Sequence, residues 1–411
     1  MSNNFPINTL IAKRALMILR NSTPMIANVN RDYQADISNQ SARVGGIINI
    51  KKPPRYKGRD GELMKVESTV MPTVSMALQQ AGQDVSFSLT DLQLSADGVR
   101  NGGADMFLKP AIATIASKIE AAGTALYKQV ATSVGSTSVA PTTTTPISLA
   151  NAYITAAGSM PSMDRVALLD PFADAALADS LKLVFNPTAE ISNAFLKGRM
   201  GKGYGFEFFD EAFIQTHTAG VYGGTPIVTV AAGNVVTTSG WTAGSILNAG
   251  DTFTLNGVYT INPMTRQSTG KLAFFAVATT AVADGSGNMI ITTVQPLTPA
   301  NIDANQFATV SNLPAASAPL TVTSGASGVQ SKQSLLFDTA AFTFACVPMA
   351  TVPAKGVISS DTVSDEESGL SITMTQFYDG PTNQVMTRFD VLYTWLATYP
   401  ELAVRFQSPA L

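Results

Sequence analysis

One stretch of this chain, Phe107 to Ser133, carries the only long helical periodicity in its 411 residues. Ile112, Ile115, Ile119, Ala122, Leu126 and Val130 recur at spacings of three and four, which places them on one stripe. Ser117, Lys118, Glu120, Thr124 and Lys128 fall on the other sides. The pattern predicts an amphipathic helix, roughly 40 Å long at 1.5 Å per residue. Lys109, Lys118, Glu120 and Lys128 exclude a membrane span, so the stripe needs a protein surface to lie along. Gly102, Gly103 and Gly135 punctuate the ends, and Pro110 fits the first turn, where its missing N–H costs little. The expectation is a spine helix that supports long extended arms.

Such a chain has ample material for a core, with 45% apolar residues, but only 13% are charged, against an average of about 25%. Its surface must therefore be covered by other protein or by Ser, Thr, Gly and Asn. A formal charge of -3 is too mild to point to nucleic-acid binding by the chain as a whole. The single cysteine, Cys346, excludes an intrachain disulfide and a Cys-rich metal site; its apolar run, Phe342 to Val347, predicts a buried structural thiol. The single histidine, His217, leaves no His-pair zinc motif and almost no partners for catalysis, and is expected at a turn or interface. No catalytic residue, cofactor or metal is assigned. Lys13 and Arg14 interrupt the apolar residues of the N-terminus, so no signal peptide is read and the chain is expected to stay in the cytoplasm.

In chain order, a short amphipathic helix from Asn8 or Thr9 to Arg20 opens a segment with no core of its own, expected to find order against something else. From Gly45 the pattern turns to strand, with alternation at Val74–Leu78 and Val85–Leu89. Ahead of these, Ile47, Ile48 and Ile50 lead into a basic, proline-bearing tip: Lys51, Lys52, Arg55, Tyr56, Lys57 and Arg59, opposed only by Asp60. Two projecting strands are marginal alone, so they should rest on a neighbour, and these six residues are the subunit-contact candidates. After a Thr- and Pro-rich linker comes an α/β stretch: a helix over Leu149–Ala157, a buried strand over Arg165–Leu169, and a helix opened by Asp170-Pro171 and running through Leu183. A further helix follows Asn186-Pro187-Thr188. Gly198 to Gly205 lacks phosphate-loop spacing and precedes a strand, Phe206–Phe213, so it reads as a flexible turn.

Near Thr218 the composition shifts to Thr, Ala, Gly, Ser and Val until about Gln333. Thr252–Ile261 reads as a hairpin around Asn256-Gly257, and Leu272–Val282 with Met289–Val294 as another around Asp284-Gly285. An inserted all-β unit explains this best, since strands resume at Leu335. Asp361 to Glu367 reads as a solvated turn. A long hairpin follows, Ile372–Tyr378 with Gln384–Thr398, in which Val385, Thr387, Phe389, Val391 and Tyr393 share a face; a last strand runs through Phe406, and these late strands are expected beside the spine helix.

The order of these parts, with the Lys-Pro-Pro-Arg-Tyr tip, the helix opening Phe107-Leu-Lys-Pro-Ala111, and the closing Arg388–Tyr393 and Tyr399–Ala403, resembles the major capsid proteins of tailed bacteriophages with the Hong Kong 97-type fold. It is similar to the coat proteins of short-tailed Salmonella-type phages that carry an inserted domain. The resemblance implies an α+β fold with an N-terminal arm over 1–44, an extended β loop over 45–90, a peripheral domain over 91–146 and 370–411, an axial domain over 147–217 and 335–369, and the inserted domain over 218–334. It further implies homo-oligomeric hexamers and pentamers in an icosahedral shell around double-stranded DNA, a scaffolding protein, a portal protein, and assembly in the host cytoplasm without a membrane. A nanocompartment shell of the same fold and a surface-layer or adhesin protein are the alternatives. An enzyme is disfavoured by the lack of paired catalytic groups.

Overall fold

A computed structural model of the chain describes residues 7–21, 23–31, 47–56, 71–86, 103–159, 164–181, 201–299, 307–349, 357–365, 369–379 and 384–410. They form two compact units. The first is Met1–Lys51, Thr73–Gly123 and Phe342–Leu396; the second is Lys52–Pro72, Thr124–Ala341 and Ala397–Leu411.

In the first unit, helices α1 (Ile7–Asn21), α2 (Pro24–Ala27) and α3 (Gly103–Thr124) accompany a five-stranded sheet. Its order is β17 (Phe342–Val347), β20 (Gln384–Ala397), β19 (Ser371–Asp379) and β18 (Val357–Ser364), with β3 (Gln79–Ser86) also on β20. Leu108, Ala111, Ile112, Ile115, Ala116 and Ile119 form the buried stripe of α3. The helix starts upstream of the expected first turn, which puts Pro110 inside it, on the exposed side. It also stops short of Ser133: Ala125–Gln129 tighten into a 3-10 turn and Val130 is extended.

Two polar residues assigned to the outer sides of this helix, Glu120 and Thr124, are fully buried. Glu120 is tolerated because its carboxylate accepts from the backbone N–H groups of Met25 at 3.1 Å and Ile26 at 3.4 Å. It supplies the acceptor that the first turn of α2 lacks, since Thr23 at the N-cap position makes no side-chain capping bond and its hydroxyl turns back to Leu19 O at 3.2 Å. One helical turn on, a Cβ at Gly123 would lie 2.8 Å from Met25 Sδ and from the Trp395 ring, so glycine allows this close approach. Trp395 Nε1 donates to Ile119 O at 3.0 Å.

The expectation for the N-terminus is corrected. Helix α1 docks on β18 and β19 of its own chain and buries Ile11, Ala12, Ala15, Leu16 and Leu19. The segment has no core of its own because its partner strands lie at the far end of the chain. The long hairpin of β19 and β20 pairs as expected, and Thr387, Phe389, Val391 and Tyr393 are buried. Asp361 is not in a loop: it pairs with Met374 inside β18, and the reversal comes at Asp365, whose N–H donates to Leu370 O at 2.9 Å. Strands β1 (Ile47–Lys51) and β2 (Thr73–Ala77) form an antiparallel ribbon, with Ile50, Met76 and Leu78 packed against Ala345, Val347 and Leu392. Cys346 is buried, as expected, with its sulfur 3.3 Å from Ser371 Oγ.

The second unit is built on a seven-stranded sheet: β4 (Ser133–Gly135), β21 (Ala403–Pro409), β16 (Gln330–Asp338), β5 (Arg165–Leu169), β7 (Phe206–Asp210) and β6 (Lys202–Gly203), with β8 (Thr216–Thr218) on one end of β16. The last strand, expected beside the long helix, instead lies inside this sheet, between β4 and β16. Helices α4 (Thr145–Ala156) and α5 (Pro171–Leu181) contribute Ile147, Ile154 and Leu177 to a core with Leu169, Phe208 and Leu336. Asp170 caps α5 as expected, accepting from Phe172 N at 3.2 Å, with Pro171 at the first position. Tyr204 and Gly205, both at positive φ, make a two-residue reversal between β6 and β7, the hairpin geometry that left-handed residues favour. The helix expected after Pro187 lies outside the described residues.

Between β8 and β16 the chain builds strands with a separate core of Val236, Trp241, Phe253, Phe275 and Ile291. They are β9 (Gly224–Trp241) with β14 (Met289–Leu297), β10 (Ile246–Leu247) with β13 (Ala281–Val282), and β12 (Ser268–Ala276) with β11 (Thr252–Ile261) and β15 (Leu320–Val322). Asn256-Gly257 is not a hairpin turn: β11 runs straight through it, with Gly257 at φ +78 and a register shift between Thr254 and Tyr259. The left-handed glycine is used for a bulge. Reversal occurs at Asn262–Gln267, where Arg266, at φ +55, donates to Asn262 O. The Asp284 turn exists, its carboxylate accepting from Ser286 N and Asn288 N, yet β14 pairs with β9, leaving one bridge from Val277 to Thr293.

A pH dependence arises at Asp174, in the first turn of α5. Burial, then the charge of Asp210 and a hydrogen bond to it, raise its pKa from 3.8 to about 7. A carboxyl that holds its proton more tightly folded than unfolded stabilises fully below the unfolded value, and that contribution is lost as pH rises through about 7. Asp174→Asn is expected to flatten the fall in melting temperature between pH 5 and pH 8 seen by circular dichroism. Equal falls in both proteins would refute this.

Candidate functional site

The basic tip enters the second unit at Lys52, just after β1, and runs extended to Tyr56. Two of its cations are engaged by their own chain. Lys52 Nζ lies 4.9 Å from the Tyr399 ring centroid; Arg55 meets Glu401 at 2.9 Å and stands 5.8 Å from the Phe307 ring. Burial lowers the Lys52 pKa, against the nearby charge of Glu401, while Arg55 lowers it further. The Arg55–Glu401 pair is partly exposed on both sides and so is worth at most about 1 kcal/mol. It orients the tip more than it stabilises it. Lys51 and Tyr56 remain exposed, Tyr56 by 58%. Lys57 and Arg59 lie outside the described residues. Of the six candidates, then, Lys52 and Arg55 anchor the strap, and Lys51 and Tyr56 are displayed.

A second group was not found as a site in the sequence. His217, expected at a turn or interface, is buried in β8. Its Nε2 lies 2.8 Å from Asp251 Oδ1, and its Nδ1 is 3.1 Å from Tyr127 Oη. Burial raises the Tyr127 pKa, countered by Arg405 and reinforced by Asp251, so the phenol stays a donor. The network therefore assigns Nε2 as donor to the carboxylate and Nδ1 as acceptor. Asp251 Oδ2 also accepts from Gly220 N at 3.0 Å and Asn248 N at 2.7 Å. Arg405 completes the group: fully buried, it donates through Nε to Val130 O at 2.5 Å and through Nη1 to Gly250 O at 2.7 Å, and it covers the Tyr127 ring at 5.3 Å. Burial lowers its pKa to about 10, so it is charged at neutral pH. The only sequence signal was the alternation Val404-Arg-Phe-Gln407, long polar residues between apolar ones.

His217 to Asp251 and Arg405 to Gly250 O tie strands β8 and β21 to the strands above them, while Tyr127 to His217 and Arg405 to Val130 O tie the chain that follows α3 to the same sheet, so the group holds separate segments together. Among the described residues no cluster of three or more His, Cys, Asp or Glu could hold a metal ion, and no helix is long and apolar enough to cross a membrane.

A family model described as "P22 coat protein - gene protein 5" matches residues 1–407. The chain therefore belongs to the P22 coat protein family: it is a major capsid protein of a tailed phage, which self-assembles into the multimeric shell and resides in the virion capsid. The comparison with curated proteins found no match. Similar solved structures include the capsid of Ralstonia phage GP4, at 9% identity and a TM-score of 0.46 over 94% of this chain and 88% of that one. The capsid of cyanophage P-SCSP1u is similar at 9% identity and a TM-score of 0.40, over 90% and 84%. The CUS-3 coat protein I-domain is 24% identical with a TM-score of 0.18, over 26% of this chain and 96% of its own.

Proposed function

We propose that copies of this chain form hexamers and pentamers of an icosahedral shell around double-stranded DNA, assembled in the host cytoplasm on a scaffolding protein and around a portal, without catalytic chemistry. Residues 45–90 lie over the adjacent subunit, with Lys51 and Tyr56 as contacts and Lys52 and Arg55 fixing the strap's direction. Residues 218–334 face outward.

The observation that carries this reading is apolar display: Ile47 on the ribbon is 67% exposed, and Tyr56 and Met71 at the two described ends of the tip are 58% and 54% exposed. Large apolar side chains left exposed at these three positions are the kind that another protein covers. Electron microscopy and light scattering of the protein coexpressed with its scaffold are expected to show closed particles. Ile47→Asp combined with Tyr56→Asp should lower particle yield at least tenfold while leaving the circular dichroism spectrum unchanged. Wild-type protein that stays monomeric, or a double variant that assembles in full yield, would overturn the reading.

A further inference from the structure

The seven-stranded sheet has two unlike faces. Helices α4 and α5 cover the apolar one. On the other, strand register lines up His217 opposite Ser331, Gln333 opposite Gln407, and Arg405 two residues from Gln407 on the same strand. All five are buried. Three polar atoms of this column, Gln333 Oε1, Gln407 Nε2 and Arg405 Nη2, have no hydrogen-bond partner among the described residues. Turning over the Gln333 amide does not help. Its Nε2 already donates to Ser331 Oγ at 2.8 Å, so the exchange would only replace an orphan oxygen by an orphan NH2.

We propose that this face is a buried water site: ordered water molecules accept from Gln407 Nε2 and Arg405 Nη2 and donate to Gln333 Oε1. Buried polar groups left unpaired by protein are satisfied by internal water wherever several converge. The donor and acceptor set selects water over an ion. An anion would be repelled by Gln333 Oε1 and a cation by Arg405, whereas water serves both. The charge of Arg405 also has a buried counterpart close by in Asp251, which is bonded to His217, so no further anion is required. The insert thus rests on its sheet through a hydrated layer, closed at one end by the bond from Arg405 Nη1 to Gly250 O.

A reconstruction of assembled shells sharp enough to show ordered water is expected to place density within about 2.7–3.2 Å of all three atoms. A direct Gln333–Gln407 hydrogen bond with no density between would overturn the proposal. A second measurement uses Gln333→Met with Gln407→Met, a swap of similar volume. If water fills the site, the amides and their waters leave together and the apparent melting temperature is unchanged or lower. If the site is dry, removing two orphaned groups raises melting by more than about 6 °C, and the proposal fails. Melting of the wild-type shell that drops when buffer chloride is replaced by gluconate would point to a bound anion and also overturn it.

Discussion

Replacing Arg405 with methionine lowers the apparent melting temperature by about 10 °C and abolishes soluble, assembly-competent protein at 37 °C; this is the largest single effect expected in the chain. The side chain is fully buried and bonds two carbonyls, Val130 O and Gly250 O, from segments on either side of the seat. Methionine fills much of the volume but leaves both acceptors without a donor and removes the cation from the Tyr127 ring. Breaking such a buried charged contact costs about 3–5 kcal/mol, a large share of the stability of an ordinary domain. Arg405→Lys should fall between: an ammonium reaches one carbonyl and keeps the charge, but it cannot fork to both while lying flat on a ring. Differential scanning calorimetry with a sedimentation assay of assembled material decides the matter. Wild-type melting and normal shells from Arg405→Met would show that the seat does not depend on this residue.

Glu120→Ala is expected to release the N-terminal segment rather than unfold the whole unit. The substitution strips the acceptor from two buried N–H groups, at Met25 and Ile26, at a cost of about 2–4 kcal/mol confined to α2 and the chain leading into it. Trypsin should then cut at Lys13, Arg14 or Arg20 at least tenfold faster than in the wild type, with the core fragments persisting. Glu120→Gln keeps one acceptor oxygen and should show an intermediate rate. Cleavage at the wild-type rate in Glu120→Ala would mean that the packing of Ile11, Leu16 and Leu19 alone holds the segment.

What was legible in the sequence was whatever local periodicity and local capping decide. The stripe of α3 and the Asp170-Pro171 start of α5 are specified by residues within one or two turns of one another, and the pairing of β19 with β20 by two alternating runs adjacent in the chain. What was illegible depended on partners far away in the chain. Glu120 looks like an outer-face residue until α2 brings two backbone donors to it. His217 looks like a boundary residue until Asp251 and Tyr127 enclose it. The same limit applies to Asn256-Gly257: the dipeptide fixes a left-handed backbone, and either a turn or a bulge can use one. Of the basic tip, the strand-like approach could be read, but which cations would be taken up by Glu401 and Tyr399 could not, because those residues lie more than three hundred positions downstream.

The place of β21 bears on how the subunit is made. It pairs with β4 on one side and β16 on the other, so the two strands it separates are synthesised long before the ribosome reaches Ala403. Until then the growing chain presents two bare strand edges facing a gap, the state most open to joining the wrong polypeptide. Closing that gap therefore waits for the last of the sheet's strands to be made.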